Sequence, residues 1–268
     1  MADDLSIRDL TAAGVESLSS LLESDDPIEA VRKLANEPLP RHNANSASLL
    51  TPVERQEVWA AGVTYLRSKK ARMDESDFSA SAYDRVYEAA RPELFFKSLP
   101  EKVVSPGEPV GIRGDARWSV PEPELALVVN SKGKIAGYTI GNDMSSRDIE
   151  GENTLYLPQA KVYHRSCAVG PVIEVGATEA EARTWKISVR ITRDGQIQFQ
   201  GETNVGQIKR AFADLVEYLY RSQMFPQGVV LLTGTGVVPP DEFSLQEGDD
   251  IAIAISGIGE LGNRVVRV

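Results

Sequence analysis

The chain has 268 residues, and 42% of them are hydrophobic, so it is long and apolar enough to bury a core and is not a disordered protein. Its formal net charge of -10 repels phosphate backbones and anionic lipid surfaces, which argues against nucleic acid and membranes as partners. The one cysteine, Cys167, cannot form an internal disulfide, and the acidic start at Asp3 and Asp4 is unlike an export signal, so we expect a cytoplasmic protein.

The first part of the chain differs in pattern from the rest. Short helices are expected at 7–22 and 27–35, and the proline- and asparagine-containing stretch 37–48 indicates a linker. We therefore expect a small N-terminal domain with its linker, 1–58, followed by a larger domain, 59–268.

The larger domain has the pattern of a mainly β protein with a few helices. β-branched runs bounded by glycine, proline and aspartate predict strands at 109–113, 124–129, 135–140, 185–193, 229–232, 251–256 and 264–268. Apolar and polar side chains alternate over 185–192, and Asp194-Gly195 precedes a second strand from Gln196. This arrangement is typical of a tight hairpin with one face in water.

One helix is predicted among the strands. Its apolar residues recur at helical spacing and form a stripe that we expect to pack on the sheet. The stripe consists of Ile208, Ala211, Phe212, Leu215, Val216 and Leu219.

Three carboxylates are expected at the ends of two neighbouring strands. Glu122 and Glu124 are two residues apart at the start of an apolar strand, so both side chains point to one face, and Asp143 follows the next strand. Pro123 has no N–H to donate, which favours a strand start or edge. Close carboxylates repel each other unless a cation lies between them, and oxygen ligands suit Mg²⁺ or Mn²⁺. The alternative is that both glutamates line the wet face of a half-exposed strand.

Several segments, in order from about Trp59 to Val268, resemble the fumarylacetoacetate hydrolase family. They lie at 92–97, 122–128, 137–148, 231–236 and 258–263. The resemblance implies the family's mixed β-sandwich or roll as the catalytic domain over 59–268. It also implies that Glu122, Glu124 and Asp143 bind a divalent metal, Mg²⁺ with Mn²⁺ as an alternative, which favours the metal site over a wet strand face.

The same resemblance implies further site residues. Lys161 matches a lysine of the pocket and is the candidate catalytic proton carrier, because burial and a nearby cation disfavour its ammonium form; its plainer role is to balance the carboxylates. Thr235 matches a substrate-binding threonine. Gly234 and Gly236 beside it allow close approach of the backbone to the substrate carboxylate.

Three more residues are expected around the pocket. Arg147 and Gln159 fall in matching segments, where Arg147 is expected to pair with an acid and brace the metal loop rather than contact substrate. Arg67 belongs to a basic segment, which the resemblance places at the pocket mouth, where it would bind and attract an anionic substrate.

The chain departs from the hydrolytic members of the family at one position. Those members carry a histidine that helps to activate water where this chain has Ser68. Of the two histidines, His42 lies in the linker, and His164 is more typical of a structural residue than of a general base. The segments 83–97 and 142–163 resemble instead the branch that dehydrates 2-keto-3-deoxy sugar acids, which needs an acid and a base but no attacking water.

The resemblance therefore implies a Mg²⁺-dependent dehydratase of pentose catabolism. Its substrate would be a 2-keto-3-deoxypentonate, the D-arabinonate or the D-xylonate form, and its product 2,5-dioxopentanoate. A 2-keto acid can chelate the ion, which stabilises the enolate formed when a C3 proton leaves. Two alternatives stay open: a hydrolase or decarboxylase of acylpyruvates or diketo acids, and a non-catalytic scaffold. The expected partner is this small 2-keto acid, and the family implies a homodimer or homotetramer.

Overall fold

The fold was analysed in a computed structural model that describes residues 6–65 and 85–268. The strands are β1 (Ser6–Arg8), β2 (Arg41–Asn43), β3 (Glu57–Gly62), β4 (Glu93–Ser98), β5 (Val110–Ile112), β6 (Ser119–Val120), β7 (Pro123–Val129), β8 (Ile135–Asp143), β9 (Ser145–Ser146), β10 (Cys167–Glu174), β11 (Lys186–Arg193), β12 (Gln196–Asn204), β13 (Val229–Leu232), β14 (Asp250–Ile255) and β15 (Gly259–Arg267). The α-helices are α1 (Leu18–Leu22), α2 (Pro27–Asn36), α3 (Arg147–Glu152), α4 (Leu157–Lys161), α5 (Glu179–Ala182) and α6 (Phe212–Tyr220).

Two large sheets contain most of these strands. The first has six strands in the order β10-β8-β7-β13-β3-β4, in which β13 is parallel to β3 and antiparallel to β7. The second has five strands in the order β12-β11-β14-β15-β5. The predicted mainly β fold with few helices is therefore confirmed. In the described ranges, no helix is both long and apolar enough to cross a membrane.

Apolar side chains cover both faces of the first sheet. Along β7, Leu125 and Leu127 belong to the larger core cluster, which also holds residues of the second sheet, and Ala126 and Val128 belong to a smaller cluster on the other face. Every residue of β7 is consequently buried. Leu22 of α1 belongs to the smaller cluster, so the N-terminal part packs against this sheet. A domain boundary at residue 58 stays a prediction.

The predicted hairpin is confirmed. β11 and β12 pair antiparallel, and the turn residues Asp194 and Gly195 have φ angles of 51° and 76°. Two positive φ angles are what a two-residue turn requires to match the twist of its strands, and aspartate followed by glycine adopts them readily. The hairpin buries Ile187 and Ile191 and leaves one face of β11 towards solvent.

The predicted helix over 208–219 starts later than its periodicity suggests. The structure has a helix only from Phe212, although Ile208 is buried as expected. The guanidinium of Arg183 donates to the carbonyls of Ile208 at 2.9 Å and Arg210 at 2.7 Å, which holds this stretch extended. The apolar stripe continues into the helix, where its four members are buried in the core: Phe212, Leu215, Val216 and Leu219.

The N-terminal prediction was partly wrong. Residues 7–22 form a short strand and a 3-10 turn before α1 begins at Leu18, whereas α2 matches the expected helix. The predicted linker contains β2, which pairs antiparallel with β1.

The last strand, β15, begins at Gly259 rather than at residue 264, because it pairs with β14 over the whole length of β14.

Candidate active site

The beginning of β7 and the end of β8 bring three acidic side chains into one cavity. The two strands are antiparallel neighbours, and the backbone N–H groups of Glu122 and Asp143 each donate to the carbonyl of the other residue, at 3.2 and 3.0 Å. Pro123 stands at the first position of β7, as its missing donor predicts. The cavity is lined by Glu122, Glu124, Asp143, Arg147, Gly234 and Thr235 and, on its apolar side, by Ala61, Gly62, Val63, Phe95 and Val238.

The three carboxylates have the arrangement that a hard divalent ion requires. Glu122, Glu124 and Asp143 are at most 3% exposed, and each offers one oxygen within 4.8 Å of the other two. Burial, and then the charges of Asp143 and Glu122, raise the pKa of Glu124 well above its usual value. A cation among the oxygens removes this penalty, and carboxylate oxygens are preferred ligands of Mg²⁺. The predicted metal ligands therefore converge and fit a divalent ion.

Lys161 lies among the carboxylates. It is the last residue of the short helix α4, and its ammonium donates to Glu122 Oε2 at 2.8 Å, to Asp143 Oδ2 at 3.0 Å and to Ser145 Oγ at 2.6 Å. The side chain is fully buried, and its Nζ lies 5.9 Å from the centre of the Phe95 ring. Lys161 thus balances two of the three acids.

Sequence reasoning missed a second buried lysine, Lys97. It belongs to β4, is fully buried and forms an ion pair with Asp143 Oδ1. It also donates to the carbonyl of Met144 at 3.1 Å and to the carbonyl of Lys161. The residue stands at the end of the segment 92–97, where a lysine inside an aromatic strand was the available signal. The pattern did not reveal its acceptors, which lie 46 to 64 residues away in the sequence.

Arg147 contacts one of the three acids, as the sequence suggested. It begins α3 and is buried, and its guanidinium donates to Glu122 Oε1 at 3.2 Å. The same guanidinium lies 5.5 Å from the ring centre of Trp118. Glu122 therefore receives hydrogen bonds on both oxygens, because Lys161 donates to Oε2. These contacts fix the orientation of that carboxylate.

The segment after β13 closes another side of the cavity. The backbone N–H of Gly234 donates to Glu124 Oε2 at 2.5 Å, and its φ of 89° is unfavourable for other residues. A Cβ at this position would lie 2.2 Å from Thr64 Oγ1. Thr235 is buried beside the cavity, where its hydroxyl donates to the carbonyl of Val237 at 3.0 Å. Glycine at 234 therefore lets the backbone itself hold a carboxylate.

Other predicted residues are not brought into this cavity. The side chain of Gln159 is exposed. The backbone carbonyl of Gln159 accepts a hydrogen bond from the guanidinium of Arg113 at 3.2 Å. His164 is exposed and lines a separate cavity beside Lys97 and Lys102. Arg67 and Ser68 lie outside the described residues.

The fold and the cavity define a class: a two-sheet β domain with a buried, carboxylate-lined metal pocket. A family model described as the C-terminal part of fumarylacetoacetate (FAA) hydrolase matches residues 57–266. The chain belongs to the fumarylacetoacetate hydrolase family.

Within this family, two relatives and one solved structure are similar to this chain over most of its length. A protein of Haloferax volcanii named probable 2-keto-3-deoxyxylonate dehydratase is 48% identical over 217 residues, which cover 81% of this chain and 74% of that protein. The 2-dehydro-3-deoxy-D-arabinonate dehydratase of Saccharolobus solfataricus is 40% identical over 220 residues, with the same two coverages. A solved structure of 2-keto-3-deoxy-D-arabinonate dehydratase with magnesium and 2,5-dioxopentanoate is 36% identical, has a TM-score of 0.78, and is matched over 90% of its length and 91% of this chain.

Proposed function

We propose that the protein is a Mg²⁺-dependent dehydratase that converts a 2-keto-3-deoxypentonate into 2,5-dioxopentanoate and water. The observation that carries the proposal is the buried trio Glu122, Glu124 and Asp143, with Lys161 between two of its members. Two relatives that cover most of the chain are named as dehydratases of such acids, and a similar solved structure holds magnesium with this product. A divalent ion bound by the trio would supply Lewis-acid stabilisation of negative charge on the keto oxygen of the substrate.

The reaction requires proton transfers at defined carbons. Removal of the C3 proton and breaking of the C4–oxygen bond release one water and leave a double bond between C3 and C4. Loss of a proton from C5 and return of a proton to C3 then give an enol, whose tautomerisation produces the C5 aldehyde. We assign the C3 proton transfer to Lys161 acting as a neutral amine, the form that a cation bound by the trio would favour, because its side-chain nitrogen lies beside two of the carboxylates that would hold the ion.

The other cavity residues orient the reacting groups. Arg147 holds Glu122, and the Gly234 N–H holds Glu124, so the ligand oxygens keep their directions without substrate. We assign binding of the substrate carboxylate to the Thr235 hydroxyl and the neighbouring glycine backbone, and attraction of the anion to Arg67.

The function is tested by incubating the purified protein with a panel of 2-keto-3-deoxy sugar acids and Mg²⁺. We expect 2,5-dioxopentanoate from a pentonate and none in the presence of a chelator. The matched control is Lys161→Met, which we expect to bind Mg²⁺ and to form product on the order of 10²-fold more slowly. Release of pyruvate from the same substrates, or turnover that persists with chelator, would contradict the assignment.

We also propose that the protein is a homodimer or homotetramer. Leu50, Leu155 and Met224 are each at least 75% exposed, which gives apolar surface for a second copy to cover. Light scattering coupled to size-exclusion chromatography measures the mass directly, and a monomer at micromolar concentration would refute this part of the proposal. The cytoplasmic location stays a prediction.

A further inference from the structure

The buried ammonium of Lys97 has three oxygen atoms as partners. A lysine ammonium has three donors and no acceptor. In the structure the ammonium donates to the carbonyl oxygens of Met144 and Lys161 and forms an ion pair with Asp143 Oδ1. Two of the three acceptors belong to the backbone, so the position of the ammonium is tied to the chain itself.

The two lysines of the site differ in what holds them. Within the described residues, Lys161 donates to three side-chain oxygens, and two of them belong to the proposed metal ligands Glu122 and Asp143. Lys97 shares one acid with it, because the two ammonium groups contact different oxygens of Asp143. Lys97 is therefore fixed by the fold, whereas Lys161 is held by groups that a metal ion would also use.

Lys97 also connects the ends of two elements, β8 and α4. Asp143 ends β8, and Lys161 ends α4, where the last carbonyls of a helix lack intrahelical partners. One ammonium from β4 contacts both the Asp143 carboxylate and the Lys161 carbonyl. The separation between a metal ligand and the base of the Lys161 side chain is thus set by a third element.

We propose that Lys97 is a positioning residue, which fixes the Asp143 carboxylate and the end of the Lys161 helix relative to each other. It acts through these two residues and does not contact substrate. The kinetic part of this proposal rests on the proposed dehydratase function, whereas the metal-binding part is independent of it.

The test compares Lys97→Met, Lys97→Gln and the matched control Lys102→Met. Lys102 is an exposed lysine that lines the cavity beside Lys97 and contacts none of the three acids in the described part of the chain. Mg²⁺ affinity is measured by titration calorimetry, kcat and KM with the 2-keto-3-deoxypentonate, and folding by thermal unfolding. Methionine keeps the volume and removes all donors, whereas glutamine keeps two donors without the charge.

We expect Lys97→Met to weaken Mg²⁺ binding at least tenfold and to lower kcat at least 100-fold, with KM changed less than threefold. The sign of the metal effect is decisive, because removing a positive charge beside a cation site would by itself tighten Mg²⁺ binding. Lys97→Gln should lie between the methionine variant and wild type, and Lys102→Met should match wild type.

Mg²⁺ affinity and kcat of Lys97→Met within twofold of Lys102→Met would overturn the proposal, and so would tighter Mg²⁺ binding. If Lys97→Met fails to unfold cooperatively, the same limits apply to Lys97→Gln. If neither variant folds, Lys97 serves the fold rather than the site, and the proposal is rejected. Wild-type protein that binds Mg²⁺ but turns over no pentonate would refute the proposed function, while the calorimetric comparison still tests Lys97.

Discussion

The two large sheets of this protein bury different kinds of side chain. In the second sheet, β11 and β14 alternate, with Ile187, Ile253 and their equivalents inside and charged or small residues towards solvent. In the first sheet, strands covered on both faces begin or end in buried charged groups, among them Glu124 of β7 and Asp143 of β8. The second sheet has the ordinary arrangement of a stable β structure, whereas the first places groups that are costly to bury around one cavity.

This difference between the sheets predicts which substitutions will affect metal binding and turnover. Removing a buried charged group that is paired leaves its partner uncompensated, whereas exposed ion pairs contribute little. Substitutions in the first-sheet cavity should therefore alter metal binding and turnover strongly, and matched substitutions on the second sheet should not. The following predictions test this separation, in order of decreasing effect.

The largest effect is expected for Glu124→Gln. Glutamine resembles the protonated acid, which the raised pKa of Glu124 favours in the metal-free protein, so the variant should fold. Without the carboxylate charge, Mg²⁺ binding should be lost and kcat/KM should fall on the order of 10³-fold. Steady-state kinetics measures the loss. The matched control is Glu202→Gln, an exposed glutamate of β12 paired with Lys186, which should stay within twofold of wild type.

The next effect is expected for Lys161→Met. Its turnover should fall on the order of 10²-fold, because a proton carrier contributes at least this much to such reactions. Mg²⁺ binding should persist or tighten, since the variant frees oxygens of Glu122 and Asp143. Calorimetry and kinetics on one preparation separate the two effects. Lys186→Met, on the exposed face of β11, is the control, and equal losses in both variants would remove Lys161 from the mechanism.

Metal removal should lower the stability of the folded protein. An ion that binds only the folded state at 100 times its Kd stabilises that state by about 2.7 kcal/mol. Thermal unfolding with and without chelator should show this difference for wild type and none for Glu124→Gln. A wild-type unfolding midpoint that does not change with Mg²⁺ would show that the trio does not bind it.

The smallest effect lies in the second sheet. Gly195→Ala should lower the free energy of unfolding by about 1 kcal/mol, because its φ of 76° disfavours alanine, and kcat/KM should not change. Gly195→Asn should lie nearer wild type, because asparagine tolerates this conformation. Urea unfolding measures both. A loss of activity in either variant would connect the hairpin to the site and weaken the separation of the two sheets.

The parts of the molecule that were predictable depend on short-range pattern. The alternation of apolar and polar side chains, together with Asp194-Gly195, predicted the hairpin, because strand period and turn geometry are local properties. The spacing of Glu122, Glu124 and Asp143 allowed a cluster, but on pattern alone the wet face of a half-exposed strand was favoured, and the family resemblance then favoured the metal site. The helix start at Phe212 was not predicted, because it depends on Arg183, which lies outside this segment. Arg183 donates to carbonyls of the preceding stretch and holds it extended. Lys97 escaped for the same reason, since distant backbone carbonyls define its role.

The central claim is that Glu122, Glu124 and Asp143 hold one divalent ion. An anomalous difference map from crystals soaked in Mn²⁺ tests it most directly, because Mn²⁺ scatters anomalously and takes the same oxygen ligands. We expect one strong peak in the cavity, coordinated directly by oxygens of these three carboxylates. A map without a peak there, with Lys161 still bonded to Glu122 and Asp143, would contradict it.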